Sequence, residues 1–450
     1  MSFPSYPKYK DSGVEWLGEV PEHWEVMPLK YVARFTSGGT PNKAVAEYWD
    51  GDVPWASSKD LKSETLSDTC DHITQAALDE GAAVLVPAGS VLVVVRGMIL
   101  LHTFPVVQIL VPMAINQDVK AVAPVDGVTA AYLPWLFRGS TTETFSRVDE
   151  AAHGTKVLRM ESWTSIALPI PPHPEQSAIA TFLDRETTKI DALIAEQQRL
   201  IELLQEKRQA VISNAVTKGL NPDASMKDSG IEWLGEVPEH WGVVPLKRLA
   251  AIQTGVAKGK DNSGKATISV PYLRVANVQD GYLDLSEVTT IDIPSEELKR
   301  YSLRAGDVLM NEGGDCDKLG RGCIWQGQLD PCITQNHVFA VRPRHVSSEW
   351  LNAITASRYA QFYFMSRSKQ STNLASISST NLMELPVIVP PNDEQSEILA
   401  FMARQAALFV SLTAEATQAI SLLQERRSAL ISAAVTGQID VRGLAGSEAA

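Results

Sequence analysis

Two stretches of this chain repeat apolar or small residues at helical spacing, while the blocks before them read as short strands and loops. In residues 168–217 the recurring positions are Ile190, Leu193, Gln197, Leu200, Leu204 and Val211. In residues 387–436 they are Phe409, Leu412, Ala416, Ala419, Leu423 and Leu430, at the same phase. A 3-4 alternation predicts a coiled-coil seam rather than a broad amphipathic face. Asn392 suits an N-cap, with Gln395 three residues on in a capping-box arrangement, and Pro174 suits the first helical position. Gly219 and Gly437 stand where each helix should stop. About 40 residues at ~1.5 Å each give a rod of roughly 60 Å. Two such rods most simply pack together; the alternative is that each meets a helix from a partner. Residues 31–165 and 248–385 read as α/β with many short strands. The longest apolar stretch, Val84 to Leu101, is interrupted by Pro87, Gly89, Ser90, Arg96 and Gly97, which predicts buried strands and a turn rather than a membrane span.

The pattern occurs twice because the chain is built twice. Residues 10–30 read KDSGVEWLGEVPEHWEVMPLK and residues 227–247 read KDSGIEWLGEVPEHWGVVPLK, differing only at Val14/Ile231, Glu25/Gly242 and Met27/Val244. The helical stretches match as well. Pro171-Pro172 corresponds to Pro390-Pro391, Glu175-Gln176 to Glu394-Gln395, and Leu203-Leu204-Gln205-Glu206 to Leu422-Leu423-Gln424-Glu425. The inserts are distant relatives by register: Val53-Pro54-Trp55 faces Val270-Pro271-Tyr272, and Asn116-Gln117-Asp118-Val119 faces Gln335-Asn336-His337-Val338. A preserved frame with divergent inserts implies one architecture presenting two different surfaces.

Composition narrows the function. The 450 residues are 44% hydrophobic, enough for real cores, and roughly three domains is the prior for this length. A net charge of −13 argues against a protein that coats nucleic acid by bulk electrostatics. Residues 31–165 are net acidic and residues 248–385 close to neutral; local basic patches are compatible with this, and a DNA-binding role would draw much of its phosphate grip from elsewhere. The four cysteines, Cys70, Cys316, Cys323 and Cys332, suit neither a disulfide framework nor a structural zinc site. The start MSFPSYPKYK has no apolar signal core, so a cytoplasmic, reducing location is expected.

Three motifs are decoys. Residues 259–265, GKDNSGK, match a phosphate-binding loop core, but Ala266 stands where the magnesium-binding Ser or Thr belongs, so a flexible polar loop is the better reading. His23 and His240 in the repeated PEHW read as packed, hydrogen-bonded side chains, and Trp16, Trp24, Trp233 and Trp241 as shared packing. Cys316 and Cys323 flank Asp317 and Arg321 without a completing ligand set. No catalytic constellation emerges. The loops do carry groups able to read base edges or phosphates, since Arg suits guanine and Asn or Gln suit adenine. In the first insert these are Thr36, Ser37, Lys43, Ser58, Lys59, Arg96, Asn116, Gln117 and Lys156. In the second they are Lys260, Arg274, Asn277, Asn311, Lys318, Arg321, Gln335, Asn336, Lys369 and Asn373.

The W-L-G-x-x-P-x-H-W opening of each half, the P-P-x-x-E-Q helix closing it, and the A-G-S-V-L and A-G-D-V-L segments inside the inserts (88–92 and 305–309) together resemble the specificity subunit of type I restriction–modification systems. The resemblance runs from about residue 10 to about residue 440. It implies a mixed α/β (α+β) fold: two globular target recognition domains joined by two long helices in an antiparallel coiled coil, with a pseudo-two-fold duplication. The implied boundaries are 1–30 and 221–247 for the repeated segments, 31–165 and 248–385 for the recognition domains, 166–220 and 386–440 for the long helices, and 441–450 for a tail. It further implies a non-catalytic subunit that binds double-stranded DNA at a bipartite, asymmetric target. That subunit docks two modification (methyltransferase) subunits and then restriction subunits. No cofactor is expected in this chain; S-adenosylmethionine belongs to the methyltransferase partner, and ATP and Mg to the restriction partner. Helices tens of ångströms long suit two readers about one DNA turn apart, ~34 Å. A coiled-coil adaptor without DNA contact is the rival from another class, and a nuclease or methyltransferase in its own right lacks motifs.

Overall fold

The computed structural model describes residues 3–151, 154–259, 264–314, 319–370 and 375–444. They form two compact units, Met1–Gln197 with Gln418–Ala450, and Gln198–Thr417. The division falls inside both long helices, His173–Lys218 and Asn392–Val435.

In the first unit a five-stranded sheet runs in the order Ala33–Ser37, Val119–Pro124, Val91–Val94, Val106–Ile109, Thr65–Leu66. Beside it a four-stranded sheet runs Asp71–Ile73, Trp49–Ala56, Met113–Ile115, Leu85–Val86. The Val84–Leu101 stretch supplies the strands Leu85–Val86 and Val91–Val94 and the turn Met98–Leu101. All four residues of Val91–Val94 are buried, which is why that segment is apolar without alternation. The second unit repeats the plan with a four-stranded sheet, Ala250–Thr254, Val338–Pro343, Val308–Asn311, Gly322–Ile324. Its partner is a three-stranded sheet, Thr289–Pro294, Thr267–Leu273, Ile333–Thr334.

The repeated segments fold alike. Tyr9–Asp11 pairs antiparallel with Glu19–Pro21, and Met226–Asp228 with Glu236–Pro238 in the same register. Asp11 Oδ1 accepts from Gly13 N at 2.9 Å, and Asp228 Oδ1 from Gly230 N at 2.9 Å, so the K-D-S-G text is an Asx turn. The outgoing strand then pairs with the strand that leads into a long helix: Glu25–Pro28 with Ala167–Ile170, and Gly242–Pro245 with Pro386–Val389.

The join between repeat and helix rests on one carboxylate per unit. Glu175, in the first turn of its helix, accepts from Trp24 Nε1 at 2.9 Å and bonds His23 Nε2 at 2.6 Å. Glu394 makes the same pair of bonds to Trp241 and His240, at 2.9 and 2.6 Å. The far side of each tryptophan meets the end of the other long helix. A methyl group on Gly437 would overlap the Pro21 ring and come within 3.1 Å of Trp24, and one on Gly219 would lie 3.1 Å from Trp241. Both glycines have φ of 76°, a left-handed helix end that also has no room for a side chain.

Two expectations are corrected. Leu193 and Leu200, assigned to the helix seam, are 51% and 43% exposed, and Leu412 is also exposed. The inward column is set earlier, where Ile179, Leu183 and Ile190 pack on the globular core and Thr187 is buried at the same phase. Continuing that phase brings in Ile194, which packs on the core of the first unit. Ile190, Leu204, Phe409, Ala416 and Leu430 are buried as the seam requires. Gln395 does not close a capping box on Asn392; its Nε2 donates to the Pro390 carbonyl at 2.8 Å, as Gln176 Nε2 does to Pro171 at 2.9 Å. The Gln therefore ties the Pro-Pro entry to the first helical turn. Within the first unit the helices are also cross-tied, with Arg427 Nε on Asp191 at 2.9 Å.

Replacing Glu175 by Ala strands the buried Trp24 N–H and is expected to cost about 1–3 kcal/mol in urea denaturation. Glu394→Ala is expected to cost less, because its side chain is 35% exposed against 10% for Glu175. Equal costs, or none for Glu175→Ala, would show that the carboxylate does not hold the join.

Candidate nucleic-acid interface

In each unit the sheet ends gather three loops at one edge. In the first unit Asn116 N donates to Ala56 O, Gly39 N to Ile115 O, and Val95 N to Asp118 O, at 2.9 Å each. In the second unit Gln335 N donates to Leu273 O at 2.8 Å, Val256 N to Thr334 O at 2.9 Å, and Glu312 N to His337 O at 2.9 Å. The two sets are the same three bonds, carried by different side chains. Glycine permits the approach in both: a methyl group on Gly38 would overlap the Ile115 carbonyl, and one on Gly255 the Thr334 carbonyl. A hairpin extends each edge. Leu158 N donates to Val95 O at 2.8 Å, and Ile377 N to Glu312 O at 2.9 Å.

The first edge collects most of the residues expected there. Thr36 and Ser37 are exposed at the end of their strand, and Lys120 Nζ donates to Ser37 Oγ at 2.5 Å. Gln117 is exposed and accepts from Thr40 Oγ1 at 2.5 Å. Ser58 and Lys59 sit on a loop held by Asp60, whose carboxylate accepts from Ser57 N and Oγ at 2.9 Å and Cys70 N at 3.0 Å. Partial burial opposes ionisation of Asp60, but these bonds win and hold its pKa below the usual carboxylate range. Lys59 pairs with Asp71 at 2.7 Å, which raises its pKa, and Lys156 pairs with Glu150 at 2.7 Å. Arg96 lies beside the hairpin, bridged to Val157. Arg96 and Lys43 are exposed and enter no ion pair among the described residues. Asn116 is buried and turned inward, with Oδ1 accepting from Asp118 N at 3.1 Å.

The second edge is narrower than expected. Asn277 is 3% exposed: Oδ1 accepts from Arg274 N, and Nδ2 donates to Asp284 O and Glu287 O, all at 2.9 Å. Asn311 is 6% exposed and donates to Val278 O at 2.9 Å. The Asn277 amide is fully used in bracing the fold, and Asn311 braces it through Nδ2 while its buried Oδ1 has no partner among the described residues; Asn and Gln in a loop look alike in sequence whether they point out or in. Arg274 is half-buried with its Nε unpartnered, and Arg321 lies 3.8 Å from Asp280. Gln335 and Asn336 are half-buried at the edge and Lys369 is exposed on the hairpin. Lys260, Lys318 and Asn373 lie outside the described residues, as do Cys316 and most of the 259–265 loop. His337, exposed and 3.2 Å from Glu312, belongs to this edge and was missed. Its register opposite Asp118 was the available signal.

Among the described residues, no catalytic constellation is assembled at either edge. Burial pushes the Cys323 and Cys332 thiols up to about 12. The described residues contain no group of three or more His, Cys, Asp or Glu placed to hold a metal ion. The A-G-S and A-G-D motifs are also structural. Ser90 Oγ donates to Pro87 O at 2.8 Å, and Asp307 accepts from Arg304 N at 2.9 Å while gripping the Arg342 guanidinium through two bonds of 2.7 Å.

A duplicated α/β frame with two unlike polar edges defines a class of two-headed recognition protein. This chain belongs to the family described as the Type I restriction modification DNA specificity domain, which matches it twice, over residues 21–204 and 238–422. It is 23% identical over 441 residues to the type I restriction enzyme MjaIX specificity subunit of Methanocaldococcus jannaschii, covering 95% of this chain and 96% of that one. It is 29% identical over 202 residues to the EcoR124I/EcoR124II specificity subunit of Escherichia coli, covering 44% of this chain and 47% of that one. A chain from a solved structure on complex assembly and conformational transition of the type I R-M system shares the fold, with a TM-score of 0.60 at 17% identity. That match covers 92% of this chain and 98% of that one.

Asn277→Ala is expected to destabilise the second unit by about 1–3 kcal/mol, since three backbone groups lose their bonds to one buried amide. Arg96→Ala should stay within ~0.5 kcal/mol of the parent. Chemical denaturation of the two variants checks the division between bracing and surface groups; the reverse order would refute it.

Proposed function

We propose that this chain is the DNA sequence-recognition subunit of a type I restriction–modification complex. Residues 31–165 and 248–385 each read one half of a bipartite, asymmetric target. Segments 1–30 and 221–247, with the helical segments 166–220 and 386–440, form the shared frame that docks two methyltransferase subunits and the restriction subunits. The chain itself is non-catalytic. S-adenosylmethionine is the cofactor of the methyltransferase subunit, and ATP and Mg serve the restriction subunit; the complex works in the cytoplasm.

The observation that carries this reading is the pair of matching edges. The backbone bonds are shared, while Asn116-Gln117-Asp118 faces Gln335-Asn336-His337 and Arg96 faces Gly313. One frame with two unlike readers is what an asymmetric target requires. For the first half-site we assign Thr36, Ser37, Lys43, Ser58, Lys59, Arg96, Gln117 and Lys156 as contacts. For the second we assign Arg274, Arg321, Gln335, Asn336, His337 and Lys369, together with Lys260, Lys318 and Asn373. The acidic total of −13 fits a complex in which partner subunits supply much of the phosphate grip.

Binding of the assembled methyltransferase complex to target and scrambled duplexes, measured across salt, tests the reading. Affinity for the target should exceed that for scrambled DNA by 10³-fold or more and fall linearly with log salt. Arg96→Ala should weaken binding about 10- to 100-fold, with sequence preference altered in one half-site only. Equal affinity for both duplexes would instead support the adaptor reading.

A further inference from the structure

The duplication allows each unit to be read against the other, and one place differs in kind. In the first unit the helix Leu133–Gly139 packs on the long helices through Trp135, which is 3% exposed and donates Nε1 to Asp184 at 3.0 Å. Arg138 stacks on that indole at 4.6 Å and pairs with Glu64 at 3.2 Å. Arg427 joins the cluster through Asp191 and Glu64. Apolar ring, cation and carboxylates fill the space.

The second unit keeps the backbone and deletes the filling. Tyr132 N donates to Thr129 Oγ1 at 3.3 Å and Trp350 N to Ser347 Oγ at 3.0 Å, and matching these two bonds sets the register of the two segments. In that register Ala353 replaces Trp135 and Ala356 replaces Arg138. On the long helix Ala403 replaces Asp184 and Val410 replaces Asp191, while Arg208 is retained where the first unit has Arg427. The result is a groove of about 310 Å³ whose lining includes Ala353, Ala356, Ala403, Ala406 and Phe409, with Arg208, Asp280 and Glu349 as its charged groups. Arg208 is exposed and has no ion pair among the described residues. Val410, which stands where the first unit has the Asp191 partner of Arg427, is 67% exposed. The surrounding helix Asn392–Val435 holds an 18-residue window of mean hydropathy 1.4 that is only 11% buried. Its two ends are each built into a folded unit through Glu394 and Arg427, which argues against a bilayer as the cover. Exposed apolar surface of this kind marks a docking site.

We propose that this groove receives a large aromatic side chain, of tryptophan size, from the methyltransferase subunit, with a neighbouring carboxylate on that subunit pairing with Arg208. The first unit supplies the template for both halves of the contact: an indole in the alanine-floored space, and carboxylates on the matching arginine. The inference rests on the function proposed above, and it gives the second unit an anchor that the first unit fills with its own Trp135.

The test is assembly with the purified methyltransferase subunit, measured by titration. Ala353→Trp combined with Ala403→Asp installs the first unit's own filling and should weaken that association about 10- to 100-fold, the equivalent of one aromatic side chain left unburied. Arg208→Glu leaves the groove open, reverses its charge, and should weaken association independently. Methylation of both half-sites should return at saturating methyltransferase in each variant. Parental affinity in Arg208→Glu, or in a folded Ala353→Trp/Ala403→Asp chain, overturns the groove inference while leaving the recognition role intact. Failure of the parent itself to bind a methyltransferase subunit overturns both.

Discussion

Two glutamates hold this architecture together. Glu175 and Glu394 each stand in the first turn of a long helix and bond the His-Trp pair of a repeated segment through two short contacts. Because a carboxylate bonds an indole N–H and a ring nitrogen at once, the angle at which the chain enters each helix is fixed. Negative charge is also favourable near a helix N-terminus, so the site suits a glutamate twice over. Gly437 and Gly219 then close on the same tryptophans from the opposite helix ends. Each unit is thus a knot of three distant segments, and divergence elsewhere is tolerated because this knot does not change.

That division explains what was legible in the sequence. The repeats, the two long helices and the relatedness of the inserts all follow from text preserved at constant spacing. PEHW and P-P-x-x-E-Q read separately as packing and helix-start signals; in space they are two halves of one contact. Their joint preservation across the duplication was the only trace of it. The helix seam was half legible. Its seven-residue column, Ile190 to Leu204 and Phe409 to Leu430, follows from spacing alone. The alternate column depends on how the first two turns seat on the core, and Leu193 against Ile194 is decided there.

The polar edges were legible as regions and not as side chains. Gly38 and Gly255 look like ordinary turn glycines until their carbonyl neighbours are seen. Asn277 and Asn311 have the chemistry of base readers and the environment of core braces, a distinction set by backbone partners that sequence does not reveal, up to 33 residues away for Asn311. The groove of the second unit was equally invisible, since alanine replacing tryptophan on one helix carries meaning only when the facing helix is known. Comparison between the copies, rather than any motif, exposes it.

The proposed function requires one frame to carry two independent readers. Exchanging residues 31–165 for the corresponding block of a family member with a different target, then mapping methylated positions across the host genome, tests it most directly. A new sequence is expected in one half-site, with the other unchanged. A change in both half-sites, with the complex still assembled, would contradict it.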